Sequence, residues 1–302
     1  MVDFLTPLLF SVIAGAATGI GGLIGIYKRL SMKYFDMAIG FAAGVMLAVA
    51  TLGLINEGII LLNGGYTALI ITITVISGVA LGMIVLLIID RVLPHLHTLI
   101  DSSDRKEECK KVVCAQECKC PNKDKWFECP YLEDGICRSA GNCFCPRKLE
   151  FQKHLKYSGI LLAIGLTIHN APEGIAMGVG FLATSALGFS MAIAIALHNI
   201  PEGLAIAVPL MQAKYGRRKI FLISFFSGMA EPIACVIAIF LLQSVSTLFL
   251  AFFLAFAGGA MIYITSDELI PESHKHGYEH QATIGLLLGF ILMLMLIIGF
   301  QI

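Results

Sequence analysis

Charge is scarce in this sequence. Only 14% of its 302 residues are Asp, Glu, Lys or Arg, 57% are hydrophobic, and the mean hydropathy is +0.84. Soluble domains carry roughly 25% charged residues, so the scarcity excludes an ordinary soluble domain and indicates an integral membrane protein. The opening Met1-Val2-Asp3-Phe4 has no Lys or Arg, and no convincing cleavage site follows in the Ala- and Gly-rich run after it. A cleaved signal peptide is therefore not expected, and the first apolar stretch should stay as a helix. Two metal motifs are missing: the His-Glu-x-x-His of zinc hydrolases, and any Cys-x-x-Cys of zinc ribbons. The formal net charge is zero, and no nucleic-acid partner is expected.

What is abundant is long apolar sequence. Stretches of about 20 residues, enough to cross a hydrocarbon core of roughly 30 Å, lie near 5–26, 36–58, 68–90, 158–180, 186–210, 219–243, 247–266 and 283–300. The fold class expected is an all-α integral membrane protein with eight transmembrane helices in contact with the lipid bilayer. Every one of the 21 Lys and Arg residues falls between stretches one and two, three and four, five and six, or seven and eight. Under the positive-inside rule those four connections are cytoplasmic, and both termini are extracytoplasmic. A multi-pass protein of the cell membrane follows. It divides into helices 1–3 over residues 1–100, a polar segment over 101–156, and helices 4–8 over 157–302.

The polar segment holds eight of the nine cysteines: Cys109, Cys114, Cys118, Cys120, Cys129, Cys137, Cys143 and Cys145. On the cytoplasmic side clustered thiols read as metal ligands more readily than as disulfides. Zinc or an iron–sulfur cluster would suit them; so would a disordered loop that buffers metal without a fixed site. The ninth, Cys235, reads as a small packing residue.

One phrase occurs twice: His169-Asn170-Ala171-Pro172-Glu173-Gly174 and His198-Asn199-Ile200-Pro201-Glu202-Gly203. His and Glu four apart share a helix face, and imidazole with carboxylate is a way to hold a divalent cation. His169 and His198 each stand about 11–12 residues into their stretch, roughly 16 Å deep and close to the midplane. Glu231, in Ala230-Glu231-Pro232, reaches the same level. No Lys or Arg is present there, so three carboxylates need protons, water or a bound cation. The ligand set suits zinc, iron(II) and manganese. Pro172 and Pro201 each remove a helical N–H and bend their helix, which lipid tolerates along a cavity. The phrases read as two halves of one shared site completed by Glu231.

A second polar cluster lies at the cytoplasmic ends of stretches three and seven. It comprises Asp90 with His95 and His97, and Asp267, Glu268, Glu272 and His274 followed by His276 and His280. These could receive a departing cation or be ordinary solvated helix ends. Glu57 is a candidate for the entrance. Gly15/Gly19, Gly40/Gly44 and Gly174/Gly178, each four apart, suit close helix packing.

The twin phrase in stretches four and five, Glu231-Pro232, and eight spans with both ends outside resemble the ZIP (Zrt/Irt-like protein) metal transporters. Gly259-Ala260-Met261-Ile262-Tyr263 leading into Asp267-Glu268 resembles the prokaryotic-type GufA branch. The resemblance implies import of divalent metal (zinc first; iron, manganese or cadmium also) through a binuclear site. In that site His169, Glu173, His198 and Glu202 would hold one ion. Asn170, Asn199 and Glu231 would hold the other, with Glu173 and Glu202 bridging and Met46 a further ligand of the first. It also implies inverted repeats of helices 1–3 and 6–8, and a homodimer. Two other functions compete. An intramembrane metal-dependent hydrolase would use His and Glu to position an activated water, although no nucleophile is evident. A membrane metal sensor would use the Cys-rich segment as its detector.

Overall fold

The computed structural model describes residues 4–28, 31–92, 132–133, 136–137, 143–144 and 148–300. Its helices are α1 (Leu5–Tyr27), α2 (Met32–Ala48), α3 (Asn56–Leu62), α4 (Ala68–Val92), α5 (Lys148–Ala183), α6 (Ser185–Gln212), α7 (Arg217–Gly228), α8 (Ala230–Leu242), α9 (Thr247–Ile264), α10 (Ile270–Ser273) and α11 (Glu279–Phe300). Among the described residues, seven helical stretches are long and apolar enough to cross a membrane: α1, α2–α3, α4, α6, α7–α8, α9–α10 and α11. The chain is thus a helical, multi-pass membrane protein.

Two of the stretches are continuous through π-helical turns. Val49–Ile55 joins α2 to α3, and Thr265–Leu269 joins α9 to α10. A threonine hydroxyl competes for a helical carbonyl in each: Thr51 donates to Leu47 O at 2.6 Å and Thr265 to Met261 O at 2.7 Å, a back-bond that disturbs the ordinary ladder. The two stretches also share sequence. Phe41-Ala42-Ala43-Gly44-Val45-Met46 matches Phe256-Ala257-Gly258-Gly259-Ala260-Met261, and Leu54-Ile55-Asn56-Glu57 matches Leu269-Ile270-Pro271-Glu272 in the same register.

Packing follows the small residues. α1 lies along α6 and α5 along α8, while α2 lies along α11 and α4 along α9. Paired glycines sit at two of these contacts, Gly40 against Ala282 and Gly44 against Leu286 on α11 and Gly178 against Cys235 on α8, while Gly15 meets the Gly228 carbonyl of α7. α5 and α6 pack on each other, and they meet the second group of helices through α9 and α2 respectively.

The polar segment departs from the expectation in two respects. α5 begins at Lys148, so residues 148–156 are helical. Three two-residue strands, Leu132–Glu133, Ile136–Cys137 and Cys143–Phe144, form a small antiparallel sheet in the polar segment, beside a membrane part that is helical as expected. The Asp134-Gly135 dipeptide between the first two is a strong hairpin sequence. Cys137 and Cys143 are backbone partners in neighbouring strands. His95, His97, Cys109, Cys114, Cys118, Cys120, Cys129 and Cys145 lie outside the described residues.

Candidate metal centre

α5 carries His169, Asn170 and Glu173; α6 carries His198, Asn199 and Glu202; Glu231 opens α8. None of the seven is more than 7% exposed. α5 and α6 run on through Pro172 and Pro201, so the Ile168 and Leu197 carbonyls lose their helical donors beside the site. Pro232 does the same to Gly228, and the helix breaks there, at Met229 between α7 and α8. The closing glycine of each phrase seats it. Gly174 lies on the Glu231 backbone carbonyl and Gly203 on that of Thr18 in α1.

The side chains converge. Ligand atoms of Glu173, His198 and Glu202 all lie within 4.8 Å of one another, and all three residues are buried. His198 Nδ1 is 3.1 Å from the Ala194 carbonyl. A carbonyl only accepts, so Nδ1 carries a proton, and in the neutral ring Nε2 then presents its lone pair. That lone pair faces Glu173 Oε1 at 3.1 Å. Two acceptors so close require positive charge between them. Adjacent ligands around tetrahedral zinc, with bonds of about 2.0–2.1 Å, stand roughly 3.3 Å apart.

Both asparagines are oriented by backbone. Asn170 Nδ2 donates to Ser227 O at 3.0 Å. Asn199 Nδ2 donates to Ala14 O at 2.8 Å and to Glu231 Oε1 at 2.6 Å. These acceptors fix which end of each amide is nitrogen. Asn170 Oδ1, Asn199 Oδ1, both Glu173 oxygens, Glu202 Oε2 and Glu231 Oε2 are buried with no hydrogen-bond donor among the described residues. Six orphaned acceptors on the residues of the two phrases and Glu231, with no Lys or Arg near them in the sequence, could take a cation in place of a donor.

Residues 4–297 match the family described as ZIP zinc transporter. The chain belongs to the ZIP family. It is similar to the zinc transporter ZupT of Clostridium perfringens (strain 13 / Type A), at 33% identity over 301 residues, 97% of this chain and 95% of the relative. ZupT of Chlorobium chlorochromatii (strain CaD3) is 33% identical over 297 residues, 96% of each chain. The zinc transporter GufA of Myxococcus xanthus is 31% identical over 292 residues, 96% of each. ZIP proteins are transporters and not enzymes, so the hydrolase reading falls.

The remaining residues singled out in this ZIP chain are more dispersed. His169 does not join the convergent three; its Nδ1 lies 3.0 Å from Glu268 Oε2. Glu268 belongs to the π-helical turn after α9, so this contact links the phrase on α5 to the other helix group. The sequence had put Glu268 with the helix ends, apart from the midplane. Asp267 is next to it, partly buried, and Tyr263 on α9 donates to Asp90 on α4 at 2.9 Å. Glu272 pairs with Lys275 at 3.0 Å, and His274 Nδ1 lies 2.9 Å from both Ile270 O and Ser273 Oγ. Those contacts are the local ones of a helix end. Met46 is fully buried in α2, and Glu57 is buried at α3. Sequence reasoning missed the Ala14, Ala194 and Ser227 carbonyls, for which no residue type is a signal. It also missed Asp36, fully buried with His276 at 2.7 Å.

Proposed function

We propose that this chain imports divalent metal ions, zinc foremost, into the cytoplasm through one shared site between α5 and α6. The observation that carries the reading is the set of orphaned acceptors around Glu173, His198 and Glu202. Zinc is favoured because the relatives are named zinc transporters; iron(II), manganese and cadmium fit the same donors.

In this reading the first ion takes Glu173, Glu202 and the His198 Nε2 lone pair, and His169 joins them by leaving Glu268. The second ion takes the Asn170 and Asn199 amide oxygens and Glu231, with Glu173 and Glu202 shared. Three ionised carboxylates carry three negative charges. One divalent ion leaves the site net negative and a second makes it net positive, so the second ion is held more weakly and the pair can move on. Glu268, once released, stands next to receive the cation, with Asp267 and Asp90 beyond it toward the cytoplasm.

The topology belongs to the same proposal. α5 is the eighth span beside the seven stretches above, both termini are extracytoplasmic, and residues 1–100 and 157–302 flank a Cys-rich cytoplasmic segment. The shared sequence of α2–α3 and α9–α10, each with its π-helical turn, supports inverted repeats. So does the matching of neighbours, α1 with α6 and α5 with α8, α2 with α11 and α9 with α4. A homodimer and a zinc-binding role for the Cys-rich segment enter through the resemblance and the composition alone.

The test is uptake into proteoliposomes holding purified protein, with zinc, iron(II), manganese and cadmium compared. Glu173→Ala and His169→Ala should each abolish zinc uptake while the protein remains folded by gel filtration. Wild-type flux from either folded variant would overturn the assignment.

A further inference from the structure

At the end of the molecule where α1 stops and α7 starts, Tyr27 is 70% exposed, and the Arg217 guanidinium lies 5.5 Å from its ring centroid. That contact brings together the ends of two helices far apart in sequence. Lys28 follows Tyr27. Lys214 stands in the α6–α7 turn with φ of 60°, and Arg218 and Lys219 continue the first turn of α7. All five basic residues are exposed, and none is in an ion pair among the described residues. The sequence offers them no neighbouring acid: no Asp or Glu occurs between Leu5 and Phe35 or between Gly203 and Ala230. The nearest, Asp36, is buried and held by His276. Lys275, by contrast, has its Glu272.

One or two turns further into α1 and α7, Ile20, Leu23, Leu222 and Phe226 are exposed apolar side chains. The charges thus begin where a lipid-facing surface ends, at headgroup level, with a tyrosine at the boundary as interfaces favour. An arginine laid on an aromatic face keeps its N–H edge free for a phosphate.

We infer that this patch is an interaction surface for anionic lipid headgroups. The apolar flank decides for a lipid phosphate over a soluble one, because only the lipid also covers Leu23 and Phe226. The occupied helices are those that build the metal centre. α6 carries His198 and Glu202, and α1 supplies the Ala14 carbonyl that orients Asn199. Bilayer charge therefore acts on the group of helices that holds the site. The inference requires only that the chain sits in a bilayer; a protein that binds such lipid but moves no zinc would fail the transport reading and keep this one.

The test is native mass spectrometry and thermal unfolding of the purified full-length protein in neutral detergent, with phosphatidylglycerol, phosphatidylcholine or inorganic phosphate added. Phosphatidylglycerol should stay bound and raise the unfolding temperature, 0.5 M NaCl should remove the effect, and the other two additives should give none. Each neutralised residue should weaken binding on the order of fivefold, so a Lys28→Gln, Arg217→Gln, Arg218→Gln variant should lose about a hundredfold. Lys275→Gln, already paired, should lose nothing. The triple variant must unfold at the wild-type temperature without lipid; if it does not, Lys28→Gln and Arg218→Gln singly carry the test. Equal binding of phosphatidylcholine, an equal shift with inorganic phosphate, or undiminished binding by the neutralised variants would overturn the inference. Those outcomes would leave the charges to orient the chain during insertion.

Discussion

Gly174→Ala adds one methyl group to the metal phrase without removing a ligand. A Cβ at that position would stand 2.9 Å from both the Glu231 carbonyl carbon and the Ala234 Cβ, and closer still to the Glu231 carbonyl oxygen. Carbon atoms in contact prefer about 3.5 Å or more, so α5 and α8 must part by roughly 0.6–1 Å. Overpacking of this kind costs about 1–3 kcal/mol. The functional effect should be larger, because the displacement falls on Glu231 and its 2.6 Å hydrogen bond from Asn199. Sites of this type tolerate about 0.5 Å, and a misplacement near 1 Å costs on the order of a hundredfold. Zinc uptake by Gly174→Ala should therefore fall between about tenfold and a hundredfold. Gly165→Ala on the same helix meets nothing within 4 Å; it should transport normally and unfold at a higher temperature, since Ala favours helix over Gly by about 1 kcal/mol. Proteoliposome flux and thermal unfolding together decide. If Gly174→Ala moves zinc at the wild-type rate, the close seat of the phrase on Glu231 does not matter to the site.

Zinc at a hundred times its Kd should stabilise the purified protein by about 2.7 kcal/mol; His198→Ala, which removes the lone pair facing Glu173, should abolish the shift in scanning calorimetry. Asn199→Asp turns a donor that serves the Ala14 carbonyl and Glu231 into an acceptor. It should cost about 1–3 kcal/mol without metal and recover part of that in zinc; equal unfolding temperatures for variant and wild type would refute the amide orientation. Deleting residues 109–145 should leave zinc uptake intact and change at most its regulation; loss of flux from a folded deletion would make the Cys-rich segment part of the path.

The sequence conveyed the membrane class and most span positions because lipid punishes charge, and the 21 basic residues could gather only in alternate connections. It also conveyed that the two copies of the phrase belong together, and Glu173 of one does meet His198 and Glu202 of the other. The partners of the phrase were not legible. Ala14, Ala194 and Ser227 act through main-chain carbonyls, which every residue has, so nothing in their identity marks them. Glu268 read as a helix-end acid because its distance along the chain from the twin phrase hid its contact with His169. The match between Phe41–Met46 and Phe256–Met261, four identities in six residues, was present in the letters and is the signal that relates the two stretches carrying the π-helical turns. The small sheet in the polar segment likewise had its Asp134-Gly135 mark.

The π-helical turns after Ala48 and Ile264 have a mechanical consequence. A π turn differs from an α turn only in which carbonyl each amide chooses, one residue farther along. Such a joint can pass its surplus residue up or down the helix by exchanging one hydrogen bond at a time. No N–H is ever turned bare toward lipid, where an unpaired amide is costly. The rod on one side of the joint can then rotate and advance by a fraction of a turn while the rod on the other side stays docked. In this chain α2 stays against α11 while α3 meets α9, and one of the two joints carries Glu268. The residue that touches His169 thus sits in a turn whose hydrogen-bonding allows such an exchange, one of two in the described chain.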